Sequence, residues 1–222
     1  MILDSLIRKN APNLKIGEWV QGVPTNIDRE IGKVIVVEVF QVNCPGCFLY
    51  GIPEVIGVYS NIDKSEVKVL GVSTAFEDYD KNTLDNLRLL LTEGEVIGET
   101  LRALRMYGRL ENGKKLPYKI PFPVAMDALE RRSGDVQESQ VQDFLEKNVD
   151  GYKDYGKQDK QIFFDRAKHY LVSKEFTAPT FEEYNLKGTP STILIDRNGL
   201  VRDIAFGADR GLQAKVDLLL KE

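Results

Sequence analysis

Cys44 and Cys47 are the only thiols in the chain, and only Pro45 and Gly46 separate them. At that spacing one helical turn brings two sulfurs within bonding reach. Where a C-x-x-C pair opens a helix, the first cysteine meets unpaired backbone N–H groups and the positive end of the helix dipole. Its thiolate is stabilised and its pKa falls. Cys44 can then attack a disulfide, and Cys47 can displace the captured substrate, leaving the two cysteines bonded to each other. Other uses of cysteine fit less well. A secreted fold held by disulfides spreads more cysteines along its length. A structural zinc site needs about four ligands, and the one imidazole, His169, stands far off in a helix-like stretch that reads as partly packed surface. The reading needs neither a metal nor a cofactor.

Glu38 is the third residue with chemical potential. It interrupts the apolar run Lys33-Val-Ile-Val-Val-Glu-Val-Phe40, six residues before Cys44. A carboxylate in such a run is costly to bury without a partner or a task. Beneath the cysteines, a desolvated Glu38 has a raised pKa and can accept the proton of Cys47 when that thiol must attack.

These residues need elements to hold them. The β-branched run at 34–40 reads as a central strand covered on both faces. The cysteine motif follows directly, and Leu49, Ile52, Val55, Ile56 and Tyr59 then recur at helical spacing, with Pro53 inside. A second buried strand spans 67–72, and Leu84, Leu87, Leu90 and Leu91 mark the next helix. Strand, motif, helix, strand, helix implies a parallel pair joined by a crossover helix. A further helix is expected near 95–107 and a short strand at 123–127. Residues 11–32, rich in Gly and Pro, read as an irregular lead-in with short extended pieces. Residues 192–196 form a strand, Arg197-Asn-Gly199 a tight turn, and 200–206 the return strand. Leu212, Val216, Leu219 and Leu220 define a closing helix. Between them, about 129–180 is highly charged yet carries helical apolar faces, such as Val141, Phe144 and Leu145.

The arrangement resembles the thioredoxin superfamily, and within it the TlpA/ResA-like thiol–disulfide oxidoreductases related to the AhpC/TSA group. The resemblance is carried by Ala11-Pro12, by Val34–Phe40 with Glu38, by Cys44-Pro-Gly-Cys47 and by Gly188-Thr-Pro-Ser-Thr-Ile-Leu-Ile-Asp-Arg-Asn-Gly199. It covers roughly 11–127 and 181–222. It implies an α/β thioredoxin-like fold, a central mixed sheet flanked by helices, over a single domain 1–222. It also implies that Pro190 is a cis proline facing the cysteines, and that Pro45, Gly46, Thr189 and Pro190 bind substrate, Thr189 through its backbone. The chain departs from the pattern at Asn43, where an aromatic residue is usual, and at Pro53, one residue further from the second cysteine than the usual helix proline. It also has residues 128–187 where the family needs only a short connection. Most of that stretch is expected to be a helical insertion, about 129–180, either a subdomain for recognition or oligomerisation or a decorative surface.

The function expected is thiol–disulfide exchange, with Cys44 as nucleophile and Cys47 as resolving thiol. The substrate is a disulfide-containing protein or small molecule and the donor is a thiol, so the role is broadly antioxidant. A peroxiredoxin-like peroxidase is the nearest rival, but that family has a Thr three residues before its reactive Cys, where this chain has Gln41. A chaperone for a soft ion such as Cu(I) could also use two thiols, without the Met- or His-rich stretch that would support it. A binding module with vestigial thiols leaves Glu38 unexplained. With 30 Lys and Arg against 34 Asp and Glu, the formal net charge is −4, which disfavours nucleic acid as the partner. No apolar run approaches the roughly 20 residues of a membrane span. Residues 1–10 show no export address, so the expected compartment is the cytoplasm, or an exported one if a leader has been removed.

Overall fold

The computed structural model describes residues 6–222. The reading of residues 1–10 as lacking an address lies in part outside the described residues.

A six-stranded mixed sheet forms the centre. Its strands are β1 (Ile16–Gln21), β2 (Val34–Phe40), β3 (Val67–Ser73), β4 (Val124–Asp127), β7 (Ser191–Ile195) and β8 (Val201–Phe206), in the order β1-β4-β3-β2-β7-β8. β2 pairs parallel with β3 and β3 with β4, while the β1–β4, β2–β7 and β7–β8 pairs are antiparallel. All seven residues of β2 are buried, as an apolar run covered on both faces requires. Alternation along β2 then decides which helix layer each side chain meets. Val34, Val36 and Phe40 join the cluster under α1 (Ile52–Asn61), α2 (Leu84–Glu93), α3 (Gly98–Met106) and α7 (Leu212–Leu219). Ile35, Val37 and Val39 join the opposite cluster with Ile27, Phe181 and Tyr184. Glu38 shares the parity of the first set and points toward α1 and α7.

Two details differ from the sequence pattern. One extended piece of the lead-in is a true edge strand, β1, whose pairing with β4 shifts register at two places; an edge tolerates the Gly17 that would weaken a central strand. The helix after the cysteines starts with a wide π turn, Cys47–Gly51, before α1. Pro53 has no N–H to donate to residue 49, and a wide turn at that place accommodates the loss.

Residues 130–177 leave and rejoin the body side by side. β5 (Glu130–Arg131) pairs antiparallel with β6 (Phe176–Thr177). Between them α4 (Glu138–Asn148) and α5 (Lys157–Ser173) pack on each other around Val141, Leu145, Tyr152 and Ala167, outside the sheet. His169 is exposed on α5. The short helix α6 (Pro179–Glu183) is tied to the sheet instead. The buried Asp127 carboxylate accepts the N–H groups of Thr180 (2.9 Å) and Phe181 (3.3 Å) and the Thr74 hydroxyl (2.9 Å).

Candidate active site at the cysteine pair

Cys44 and Cys47 are joined by a disulfide where β2 gives way to the helical turn starting at Pro45. Cys44 occupies the cap position, and Pro45 the first helical one, where a missing N–H costs nothing. The Cys47 N–H donates to the Cys44 carbonyl at 3.1 Å and to Cys44 Sγ at 3.2 Å. The sulfur thus takes the place of a side-chain cap, and a thiolate there gains both this donor and the helix terminus. Cys44 is half-buried, whereas Cys47 is fully buried among core side chains. Only the first sulfur of the pair is open to an incoming disulfide.

The loop before β7 closes over this pair. The Thr189–Pro190 bond is cis, and the Thr189 carbonyl oxygen lies 3.5 Å from Cys44 Sγ. Neither the N–H nor the carbonyl of Thr189 has a backbone partner among the described residues. The buried Pro190 ring lies against Gly46, where a Cβ would stand 3.7 Å from its Cδ. Gly51, one turn beyond Cys47, meets the other side of that ring. Pro45, Gly46, Thr189 and Pro190 therefore all converge on the disulfide.

Glu38 lies under this assembly, fully buried. Its Oε2 accepts the Thr192 hydroxyl at 2.8 Å, and its Oε1 has no hydrogen-bond partner. Burial pushes its pKa up to about 8, against the Thr192 hydrogen bond, with the carboxylates of Glu54 and Asp209 adding to the rise. At neutral pH the acid therefore holds a proton it can exchange. Gly51 lies close to both this carboxylate and the Pro190 ring, since a Cβ at residue 51 would overlap Glu38 Oε1 and stand 2.6 Å from Pro190 Cβ.

No protein-family model matches the chain, and no curated protein does. Solved structures do. A thioredoxin-like superfamily protein is 26% identical, with a TM-score of 0.58 over 96% of this chain and 97% of its own. A thiol–disulfide isomerase from Corynebacterium glutamicum is 27% identical, with a TM-score of 0.59 over 97% of each chain. The fold is thioredoxin-like. A further thioredoxin-like protein, solved in its oxidised form, is 12% identical with a TM-score of 0.54 and shares the fold. The bonded Cys44–Cys47 pair gives this thioredoxin-like chain a redox C-x-x-C site.

Two contributions to the thioredoxin-like site were not apparent in the sequence. Thr192 belongs to the Gly188–Gly199 segment, but only the β2–β7 register sets it opposite Glu38. Asn43 is a hub rather than a gap in the pattern. Its N–H donates to Asn82 Oδ1 (2.8 Å), its Nδ2 to Asp78 Oδ2 (2.8 Å), and its Oδ1 accepts the Glu99 N–H (2.7 Å). These bonds tie the cysteine loop to the loop after β3 and to the start of α3. Among the described residues no group of three or more His, Cys, Asp or Glu converges as metal ligands would, and no helix is long and apolar enough to cross a membrane.

Proposed function

We propose that the protein is a thiol–disulfide oxidoreductase that reduces disulfides. The observation that carries this reading is the asymmetry of the pair: Cys44 Sγ is accessible and accepts an N–H, while Cys47 is buried in the layer that also holds Glu38. In the reduced enzyme the Cys44 thiolate attacks one sulfur of the substrate disulfide. A Cys44–substrate disulfide forms and the other substrate sulfur leaves as a thiolate. Glu38 first gives up its own proton and then, in its ionised form, takes the Cys47 proton as base. The Cys47 thiolate attacks Cys44 Sγ, the substrate's second sulfur leaves, and the Cys44–Cys47 disulfide remains. A dithiol donor returns two electrons and two protons. Thr189 holds the substrate backbone, and Pro45, Gly46 and Pro190 shape the surface beside the sulfur.

Residues 1–222 form one domain in this reading, with 129–180 as an insertion. We place the reaction in a reducing compartment such as the cytoplasm. A chain with two cysteines, both in its redox pair, has no further disulfide that an oxidising compartment would have to maintain.

Reduction of insulin disulfides with dithiothreitol as donor tests the proposal. Wild type is expected to accelerate the reaction and Cys44→Ser to abolish the acceleration. Glu38→Gln is expected to slow resolution by Cys47 near neutral pH by up to about 10²-fold, the lower end of general-base assistance, while sparing the first attack. Insulin reduction no faster than with dithiothreitol alone would reject the reading.

A further inference from the structure

Helices α4 and α5 form one wall of a cavity of about 920 Å³ against the body of the domain. Aromatic side chains line it from both sides. Phe76 and Phe181 stack at 4.5 Å on the body, and Phe144 and Tyr170 lie 5.5 Å apart on α4 and α5. Lys147 on α4 and Lys187, two residues before Thr189, also line it. The Lys187 ammonium donates to the neutral amide oxygens of Asn148 (3.0 Å) and Asn185 (3.4 Å). Its packing and the nearby Lys147 charge hold it below the ordinary lysine pKa, against the pull of Asp150. A carboxylate arriving between the two ammonium groups would relieve that repulsion.

The cavity is lined by residues that adjoin the redox site. Lys187 leads directly into the loop whose Thr189 carbonyl lies 3.5 Å from Cys44 Sγ. On the other flank Glu77 and Asp78, also in the lining, hold Gln41 (Gln41 Nε2 to the Glu77 carbonyl, 3.4 Å) and Asn43. The open backbone groups of Thr189 suit an extended chain running along 187–189, paired as an added strand would be. A chain on that path meets the cavity lining at Lys187. The volume is at the upper end of the roughly 300–1,000 Å³ typical of small-ligand sites, so there is room for several residues.

We propose that this cleft binds an extended segment of the substrate polypeptide. An acidic side chain of that segment faces Lys147 and Lys187, and an aromatic one packs on Phe144 and Tyr170. The helices α4 and α5 thereby select the disulfide that Cys44 attacks. The proposal rests on the exchange reaction above and names its preferred substrate class.

Two disulfide-linked fluorogenic peptides test it with the reduced full-length enzyme. One carries Glu and Phe on both sides of its cysteine and the other Lys and Ser. Hydroxyethyl disulfide, neutral and too small to span the cleft, serves as the reference. The first peptide is expected to react at least tenfold faster in kcat/KM. The double variant Lys147→Glu/Lys187→Glu is expected to lose that preference when each peptide rate is divided by the reference rate. Both lysines are exposed, so the exchange should leave the core intact; Phe144→Ala/Tyr170→Ala gives a second, independent loss. Equal rates for the two peptides, or a preference that survives charge reversal, would overturn the cleft proposal while leaving the exchange reaction standing. Failure to reduce even hydroxyethyl disulfide would instead overturn the exchange reaction itself.

Discussion

The Gly51 backbone approaches the Glu38 carboxylate so closely that a methyl group at residue 51 would overlap Oε1, while the Pro190 ring closes the same space at 2.6 Å. Neither neighbour can easily yield. Glu38 is fixed by β2 and Thr192, and Pro190 by its ring and the start of β7. Gly51→Ala is expected to destabilise the fold by about 1–3 kcal/mol, as overpacking of a filled core does. Urea unfolding checks this, and an unchanged midpoint would mean that the contact relaxes freely.

Glu38 should also impose a pH dependence on stability. Folding raises its pKa from the ordinary 4.5 to about 8. Between those values the native state keeps a proton that the unfolded chain has released, so stability falls as pH rises through that window. Below about 4.5 both states hold the proton, and above about 8 neither does. Glu38→Gln removes this slope. Relative to wild type the variant should gain on the order of a few kcal/mol between pH 4 and pH 9. Urea unfolding at pH 4, 7 and 9 measures the difference; a pH-independent difference would show that the buried acid titrates normally.

Removal of α4 and α5 should spare the core. The chain leaves and returns through β5 and β6, where the Arg132 N–H donates to the Glu175 carbonyl at 2.9 Å. Replacing residues 133–174 with a short Gly-Ser link therefore spans a small gap. The shortened protein is expected to unfold in one cooperative transition and still to cycle its disulfide with hydroxyethyl disulfide. Loss of cooperative unfolding would place these helices in the folding core instead.

The same molecule shows which features local sequence can reveal. Glu38 was legible because a single charge inside a β-branched run stands out, and the cysteine pair because its chemistry depends on residues only three apart. The main strands were legible because burial on both faces leaves apolar runs. Asn43 was legible only as a missing aromatic, since its partners Asp78 and Asn82 come from a distant loop and Glu99 from the start of α3, which the fold brings together. The β5–β6 pair has two residues per strand, too few for any period. Gly51 carried no signal because its constraint lies in the empty space beside Glu38.

The two sulfurs divide the labour of the exchange, and trapping measures that division directly. Reduced Cys47→Ser enzyme, mixed with a disulfide-linked peptide at neutral pH, should stall as a mixed disulfide through Cys44, one peptide per chain by intact mass. Reduced Cys44→Ser enzyme, whose remaining thiol is buried, should form at least tenfold less adduct in the same time. If Cys44→Ser traps the peptide as readily as Cys47→Ser, either sulfur can attack, and the assignment of Cys44 as nucleophile and Cys47 as resolving thiol is contradicted.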